Sequence, residues 1–431
     1  MRVLRESRPE AGESSAGDAK APRLMSVDAL RGFDMFWIIG ANGLVYALNA
    51  MSKSGPTKLL ADQLEHADWQ GFHFYDLIFP LFVFIMGVST VFSLTKIIRT
   101  EGKAEAVKRI IRRSVILFAL ALVYSGGVSE MWPNIRIMGV LNRIALCYFF
   151  GALIFCFCKP KVMAGITAAL LLGYWALMAW VPIRDIRMEH FSEESGPNQA
   201  MADNDVERIM EKTGEHDPAK IFYGTTNYVT GKYDMGYNLS NHLDFEHLGG
   251  KRWDTYWDPE GLLSTIPAIA TSLLGVFAGL LLMNSQVGEM KKVALLLGFG
   301  IAGVVLGCLW GMQFPIIKKI WTSSYVLLAG GLSALLLGLF YLVVDVMKLR
   351  FWCQPFVWIG MNSITIYMVS NFLGAGGFRR LGLRLSGGDV KSWFDHHVAA
   401  GFGDLVVSLT GLALVFCFVN FLYRKKVFIR L

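Results

Sequence analysis

The sequence predicts an all-α, polytopic integral membrane protein with about ten transmembrane helices. Its composition is 54% hydrophobic and 17% charged, whereas soluble domains carry about 25% charged residues. Apolar runs of about twenty residues, the length of a membrane-spanning helix, recur along the 431 residues. Runs this long exclude a membrane barrel, whose strands are alternating segments of about ten residues.

The distribution of charge predicts the topology. Lys and Arg are concentrated in alternate connecting segments, so the positive-inside rule places both termini in the cytoplasm. The loops 49–71 and 183–261 then lie on the outer face. The net charge of +7 therefore indicates orientation and not a nucleic-acid surface. The ten predicted spans are 28–48, 72–95, 113–130, 137–157, 162–182, 262–283, 291–312, 322–346, 352–373 and 400–422.

Polar segments divide the chain into four parts. Residues 1–24 are predicted to be a disordered cytoplasmic tail without a cleavable signal peptide. Residues 25–182 hold helices one to five and the outer loop 49–71, and residues 262–431 hold the other five helices. Between them, 183–261 is an acidic periplasmic loop or cap. The six cysteines lie in or beside the predicted spans, so we interpret them as packing residues and expect no metal site.

The stretch 65–89 carries most of the chemical information. His66 lies in a polar loop directly before an apolar run, and Asp76 lies at the entry to that run. An ionisable residue at such a depth is costly and is a functional candidate by default. Histidine titrates near neutral pH and suits proton transfer. Asp76, or less favourably Asp68, would orient His66, and His73 is a second candidate base. The alternative is an ordinary interfacial loop.

The same stretch resembles a known family. His-Ala-Asp-Trp-Gln-Gly at 66–71, followed by Asp-Leu-Ile-Phe-Pro-Leu-Phe-Val-Phe-Ile-Met-Gly at 76–87, is similar to the motif of the heparan-α-glucosaminide N-acetyltransferase family. The resemblance covers roughly 23–431. It implies a multi-pass enzyme that moves acetyl from cytosolic acetyl-CoA across the bilayer to the amine of a glucosamine-type sugar. Further matching stretches follow the family order: 26–32, 136–143, 258–261, 358–367 and 423–426.

The resemblance also implies roles for individual residues. His66 falls on the catalytic histidine, and Asn42, eleven residues past Arg31, falls on a functional asparagine placed beside it. His66 would remove the amine proton while Asn42 positions or polarises the acetyl carbonyl. A transient acetyl-histidine is the alternative chemistry. The gap between Asn42 and His66 is longer than in the animal enzymes.

Four arginines are candidates for binding the co-substrate acetyl-CoA. Arg31, Arg112 and Arg113 lie near the predicted cytosolic side and could hold its phosphates. The alternative is that such residues set the topology or contact anionic lipid. Arg143 lies inside an apolar run and needs a partner, which could be Asp34, Asp76 or the cofactor cavity itself.

A carbohydrate acceptor needs flat faces for the apolar side of the sugar and acceptors for its hydroxyls and amine. The later part of 183–261 interleaves aromatics with carboxylates and amides. For the loop 183–261, the alternative is a cap that binds no ligand. For Asn362 in the ninth predicted span, the alternative is a polar residue that joins neighbouring helices by hydrogen bonds. The predicted substrate-binding residues are Asp68, Trp69, Trp257, Asp258, Glu260 and Asn362.

Two other functions stay open at this point. An amino-sugar transporter or transport accessory would use the intramembrane charges as a path for protons or substrate. Transporters often have a pair of spans broken by Gly or Pro at corresponding positions of their two halves, and no such pair is evident in this sequence. An O-acyltransferase of envelope glycans would use a hydroxyl acceptor. The expected partners are acetyl-CoA, an amino sugar or glucosamine-terminated glycan and the lipid bilayer, with a homodimer left open and no nucleic acid. Without organelle signals or the N-terminal outer domain of the animal relatives, we expect a bacterial inner (cytoplasmic) membrane.

Overall fold

The protein is a bundle of long helices that carries a small cap on one face. The computed structural model describes residues 24–52, 54–189, 204–374 and 376–428. The predicted tail, apart from Leu24, lies outside the described residues. The all-α prediction is confirmed. In the part of the chain that is described, strands are limited to the short antiparallel pair β1 (Ile183–Arg184) and β2 (Tyr228–Val229).

The helices before the cap are α1 (Met25–Phe36), α2 (Asn42–Ser52), α3 (Gly55–Gln63), α4 (Ile78–Thr100), α5 (Gly102–Tyr124), α6 (Val140–Phe157) and α7 (Pro160–Trp180). A π-helical turn at Trp37–Ala41 joins α1 to α2, and a 3-10 turn at Phe74–Leu77 leads into α4. The cap contains α8 (Val206–Thr213), α9 (Pro218–Gly224) and α10 (Leu239–His247).

The helices after the cap are α11 (Thr265–Met283), α12 (Glu289–Gly311), α13 (Ser323–Phe340), α14 (Gln354–Met361), α15 (Ser363–Phe372), α16 (Gly377–Ser386), α17 (Asp389–His397) and α18 (Phe402–Arg424). Among the described residues, eight helical segments are long and apolar enough to cross a membrane. They are Met25–Ser52, Phe74–Thr100, Val140–Phe157, Pro160–Trp180, Thr265–Met283, Glu289–Gly311, Ser323–Val346 and Phe402–Arg424.

Two of the ten predicted spans take a different form. The third, 113–130, is the apolar half of α5, whose first half is basic and which ends at Tyr124. The ninth, 352–373, is broken at Asn362 into α14 and α15. Helix α14 crosses α1 so closely that a side chain on Gly360 would overlap the backbone of Asp28. This is the small-residue packing expected between membrane helices.

Segments from distant parts of the chain meet on one face of the bundle. The loop after α3 pairs with the loop before α13, through a bridge between Gln70 and Ile317 and a 3.0 Å bond from the Gly71 amide to the Ile316 carbonyl. Arg136, after α5, forms a bridge with Gly250 of the cap. These are segments that the charge pattern assigned to the outer side, so α5 returns the chain to the face that carries His66.

The cap is fixed to the bundle by apolar packing. Its own core contains the fully buried Ile186, Val206 and Trp257. Residues of α7 and of the loop before α13, among them Tyr174 and Phe314, pack beneath it. This packing holds the cap against the face of the bundle where the candidate site lies.

Candidate active site

A buried carboxylate, Asp76, lies at the centre of the site. It belongs to the 3-10 turn that leads into α4, and its side chain is 1% exposed. Its Oδ2 accepts the backbone N–H of His73 at 3.0 Å and that of Ala67 at 3.2 Å. Its backbone carbonyl accepts the Tyr325 hydroxyl at 2.7 Å. Because hydrogen bonds compensate a buried charge, these contacts fix the loop before α4 around Asp76.

His66 is held by the same carboxylate. Its Nδ1 lies 2.9 Å from Oδ1 of Asp76, and its ring packs against Tyr75 with centroids 4.8 Å apart. An ionised carboxylate only accepts, so Nδ1 carries the proton and donates it to Asp76. The other ring nitrogen, Nε2, then keeps its lone pair. With its side chain 49% exposed, His66 is accessible as a base.

Lys318, from the loop before α13, completes the cluster. Its Nζ lies 3.3 Å from Oδ1 of Asp76 and 3.1 Å from Nε2 of His66. Nζ is also 2.8 Å from Nδ1 of His66, but that nitrogen already donates to Asp76 and cannot accept as well. Lys318 therefore donates to Asp76 and places its positive charge beside the imidazole ring.

The surroundings lower the pKa of both bases. Burial lowers the pKa of His66, the hydrogen bond to Asp76 opposes this, and the positive charge of Lys318 lowers it further, so the net shift is downward. Burial also lowers the pKa of Lys318, against the opposing charges of Asp76 and Glu260. Neutral imidazole is the form that accepts a proton, so the downward shift keeps His66 ready to act as a base at neutral pH.

His66 and Lys318 lie at the mouth of a cavity of about 310 Å³. Glu260 also lines it, and the rest of its wall is mostly apolar. Size and lining agree with small-ligand sites, which are largely apolar with a few placed polar groups. We call it the His66 cavity. The apolar wall comes from α1 and the π-helical turn after it, and from α4, α6 and α15: Met35, Ile38, Ile78, Phe79, Phe82, Val140, Leu141, Ile144 and Ile364.

A salt-bridge network stabilises the wall formed by Glu260. Arg136 donates from Nε to Asp258 at 2.8 Å, and from Nη2 to Asp258 and Glu260 at 2.7 Å each. Burial lowers the pKa of Arg136, but the bond to Asp258 and the two carboxylate charges outweigh burial and raise it. Burial and the neighbouring Asp258 raise the pKa of Glu260. The network fixes the end of the cap against the cavity.

Arg143 is fully buried and pairs with neither Asp34 nor Asp76. Its Nη2 donates to the Pro259 carbonyl at 2.8 Å and to the Ser264 hydroxyl. Its guanidinium lies 5.0 Å from the centre of the Trp321 ring. Arg143 therefore anchors the segment that enters α11. It does not line the His66 cavity, and this placement favours a structural role over the predicted contact with coenzyme A.

Of the two predicted sugar-binding aromatics, Trp257 is fully buried and Trp69 is half-buried. Trp69 donates from Nε1 to the Tyr233 carbonyl at 2.8 Å and meets the ring of Trp257 edge-on at 5.6 Å. Trp257 is 0% exposed. These two residues join the His66 loop to the cap, and Trp257 presents no open face to a sugar. Asp68 is exposed in the same loop.

Asn362 and Asn42 are not among the residues that contact His66 in the described chain. Asn362 is buried at the break between α14 and α15, and within the described chain its side chain has no hydrogen-bond partner. Asn42 accepts the Gly43 amide at 2.9 Å and contacts Tyr46. It lines a second cavity, which adjoins the His66 cavity.

The remaining predicted cofactor residues lie toward the opposite face. Arg31 bonds to the carbonyl of Gly360 at 3.4 Å and to Ser89. Arg112 is exposed on α5, and the guanidinium of Arg113 lies 4.5 Å from the centre of the Tyr148 ring. None of these residues lines either cavity.

Sequence reasoning missed Lys318. It is 252 residues from His66 in the chain, and no motif connects them. A signal was nevertheless present, because Lys318 and Lys319 are adjacent cations in a short loop that the topology places outside. The positive-inside rule disfavours cations there unless they have another role.

The fold and the site define a class: a multi-pass membrane protein with a carboxylate-oriented histidine at one membrane boundary. Comparison with known proteins narrows the class. The family model "Heparan-alpha-glucosaminide N-acetyltransferase, catalytic" matches residues 23–198. A mouse (Mus musculus) protein of the name heparan-alpha-glucosaminide N-acetyltransferase is 29% identical over 400 residues, which are 84% of this chain and 54% of the mouse protein.

The human (Homo sapiens) protein of that name is 28% identical over 387 residues, 81% of this chain and 53% of the human one. The chain thus spans about half the length of the curated relatives it matches. The chain is therefore similar to members of the heparan-α-glucosaminide N-acetyltransferase family over most of its length.

Replacing Arg136 by Gln is expected to destabilise the protein by about 3–5 kcal/mol, because Asp258 and Glu260 would stay buried without their cation. The matched control is Lys108→Gln, which breaks the exposed pair with Glu105 at 3.2 Å and should change stability by less than about 1 kcal/mol. The midpoint of thermal unfolding in detergent measures both variants. Equal shifts in the two would contradict a structural role for the network.

Proposed function

We propose that this chain transfers an acetyl group from acetyl-CoA to the amine of a glucosamine-type sugar on the outer face of a bacterial inner membrane. The observation that carries the proposal is the cluster of His66, Asp76 and Lys318 at the mouth of the His66 cavity. The names of the family and of its mouse and human relatives support the reaction class.

In the first step, the neutral amine attacks the thioester carbonyl and Nε2 of His66 takes the amine proton. Asp76 holds the imidazole in the required tautomer and stabilises the imidazolium that forms. The C–S bond then breaks. The imidazolium returns its proton to the departing thiolate, so the products are the N-acetylated sugar and free coenzyme A.

Lys318 is suited to stabilise the negative charge on the thioester oxygen during attack. Its ammonium lies at the cavity mouth and is held by Asp76, so it needs little reorganisation when charge develops. A positioned donor of this kind contributes a factor of about 10²–10³ to the rate in acyl transfer. The apolar wall of the cavity fits a methyl group and excludes water that would hydrolyse the thioester.

The site supports this reaction better than transport. A transport path through Asp34, Asp76 and Arg143 would need these groups in sequence along an opening. Instead Asp76 binds His66, and Arg143 is enclosed by Pro259, Ser264 and Trp321. A hydroxyl acceptor would use the same base, so comparing amine and hydroxyl acceptors distinguishes N-transfer from O-transfer.

The direct test is transfer of labelled acetyl from acetyl-CoA to glucosamine in nanodiscs. We expect transfer by the wild type and a loss of at least 10²-fold in kcat for His66→Ala. The matched control is His73→Gln, because His73 is the neighbouring histidine and its Nδ1 bonds to the Glu65 carbonyl at 3.1 Å, away from the Asp76 carboxylate. It should keep most of the activity. A wild type that leaves acetyl-CoA unconsumed across amino-sugar acceptors would overturn the proposal.

The pH dependence of kcat tests the electrostatic effect of Lys318 on His66. Its positive charge lowers the pKa of His66, so Lys318→Met should raise that pKa and move the acid limb of the kcat profile to higher pH. Below that limb His66 is protonated and cannot accept the amine proton. Lys319→Met is the matched comparison, because Lys319 contributes least to lowering the pKa and should shift the limb less. An acid limb at the wild-type position in Lys318→Met would exclude this electrostatic role.

A further inference from the structure

A second cavity, of about 690 Å³, adjoins the His66 cavity. The two share Ile38 and Tyr367 as lining residues. The volume is within the range of roughly 300–1,000 Å³ that is typical of ligand pockets. Residues of α2, α5, α15, α16 and α18 line it, together with the turn between α1 and α2. We call it the Asn42 cavity.

Interrupted backbone lines the Asn42 cavity. The span Met25–Ser52 contains the π-helical turn, where Gly40 has φ 124° and an added Cβ would meet nothing within 4 Å. Gly374 and Gly376, with φ of 87° and 86°, line the opposite side. In a membrane protein, non-helical backbone at this depth is tolerated only inside protein or along a water-filled cavity. The non-helical backbone at Gly40 therefore agrees with its place on the wall of a cavity.

The side chains of the Asn42 cavity suit a saccharide. Asn42 and Asn371 offer amides that both donate and accept, as sugar hydroxyls require. Ser370 offers a hydroxyl whose oxygen is buried and, among the described residues, has no hydrogen-bond partner. The rings of Tyr124 and Tyr367 stack 4.9 Å apart at an angle of 6°. They provide a flat apolar surface with polar edges.

The charges of the Asn42 cavity do not suit the phosphates of coenzyme A. Of the described lining residues, Arg379 is the one cation, and it already donates to Asp404 at 3.1 Å. Asp404 also pairs with Lys391 at 2.9 Å. A phosphate group prefers cations that are free for bidentate contact. The lining therefore favours an uncharged ring system over a polyanion.

We propose that the Asn42 cavity is the saccharide subsite of the acceptor. It holds the pyranose portion of the glucosamine-type substrate, whose amine reaches the His66 cavity where the two adjoin at Ile38 and Tyr367. This inference rests on the proposed function and adds the location of the acceptor. It assigns Asn42 and Asn371 to the sugar hydroxyls, and moves sugar recognition from the aromatics of the cap to the helices.

The subsite can be tested without turnover by measuring the binding of glucosamine to the full chain in nanodiscs. Saturation-transfer NMR provides this measurement. Asn371→Leu keeps the branching of the side chain at Cγ and removes both hydrogen-bonding groups, and we expect its Kd for glucosamine to rise about tenfold. Ser370→Ala should raise the Kd about threefold and carries the test alone if Asn371→Leu fails to fold. The matched control, Asn284→Ala, changes an exposed asparagine on the opposite face and should bind as the wild type does.

Kinetics separate this inference from the proposed function. If the wild type transfers acetyl, the two subsite variants should raise KM for glucosamine by the same factors and leave KM for acetyl-CoA unchanged. Unchanged glucosamine binding in both variants would overturn the subsite while leaving the reaction intact. A rise in KM for acetyl-CoA alone would also overturn it, because the cavity would then hold the donor. Failure of the wild type to transfer acetyl at all would instead count against the proposed function.

Discussion

The site depends on one buried carboxylate at a membrane boundary. Asp76 is 1% exposed, and its oxygens accept from His66, from the backbone amides of Ala67 and His73, and from Lys318. A buried charge of this kind is tolerated only when its hydrogen bonds are made. The carboxylate therefore imposes the path of the loop before α4, and that path gives the imidazole its orientation.

The rest of the architecture brings distant segments to this carboxylate. Lys318 arrives from the loop before α13, which is held to the His66 loop by the backbone contacts of Gln70 and Gly71. The cap brings Glu260, which Arg136 fixes through two bonds of 2.7 and 2.8 Å to Asp258 and one of 2.7 Å to Glu260 itself. Helices α1, α4, α6 and α15 supply the apolar wall. The long helices thus act as a scaffold that positions the loops of the candidate site.

Local sequence was sufficient to predict the site residues that are close to one another in the chain. His66 and Asp76 are ten residues apart, and the entry of an apolar run marks Asp76 as the orienting carboxylate. Lys318 was not predicted, because its contact depends on how α13 packs against α4. Trp257 was predicted as a sugar-binding residue from composition, which does not distinguish an exposed aromatic face from a buried one. The break at Asn362 likewise was not visible in a continuous apolar run.

The central claim is that Asp76 acts on the reaction through His66. A double-mutant cycle of acetyl-transfer rates measures this directly, with wild type, Asp76→Asn, His66→Ala and the double variant in nanodiscs. We expect Asp76→Asn to slow the wild type strongly but to have almost no effect in the His66→Ala background, because residues that act as a unit are non-additive. Equal losses from Asp76→Asn in both backgrounds would show that Asp76 does not act through His66.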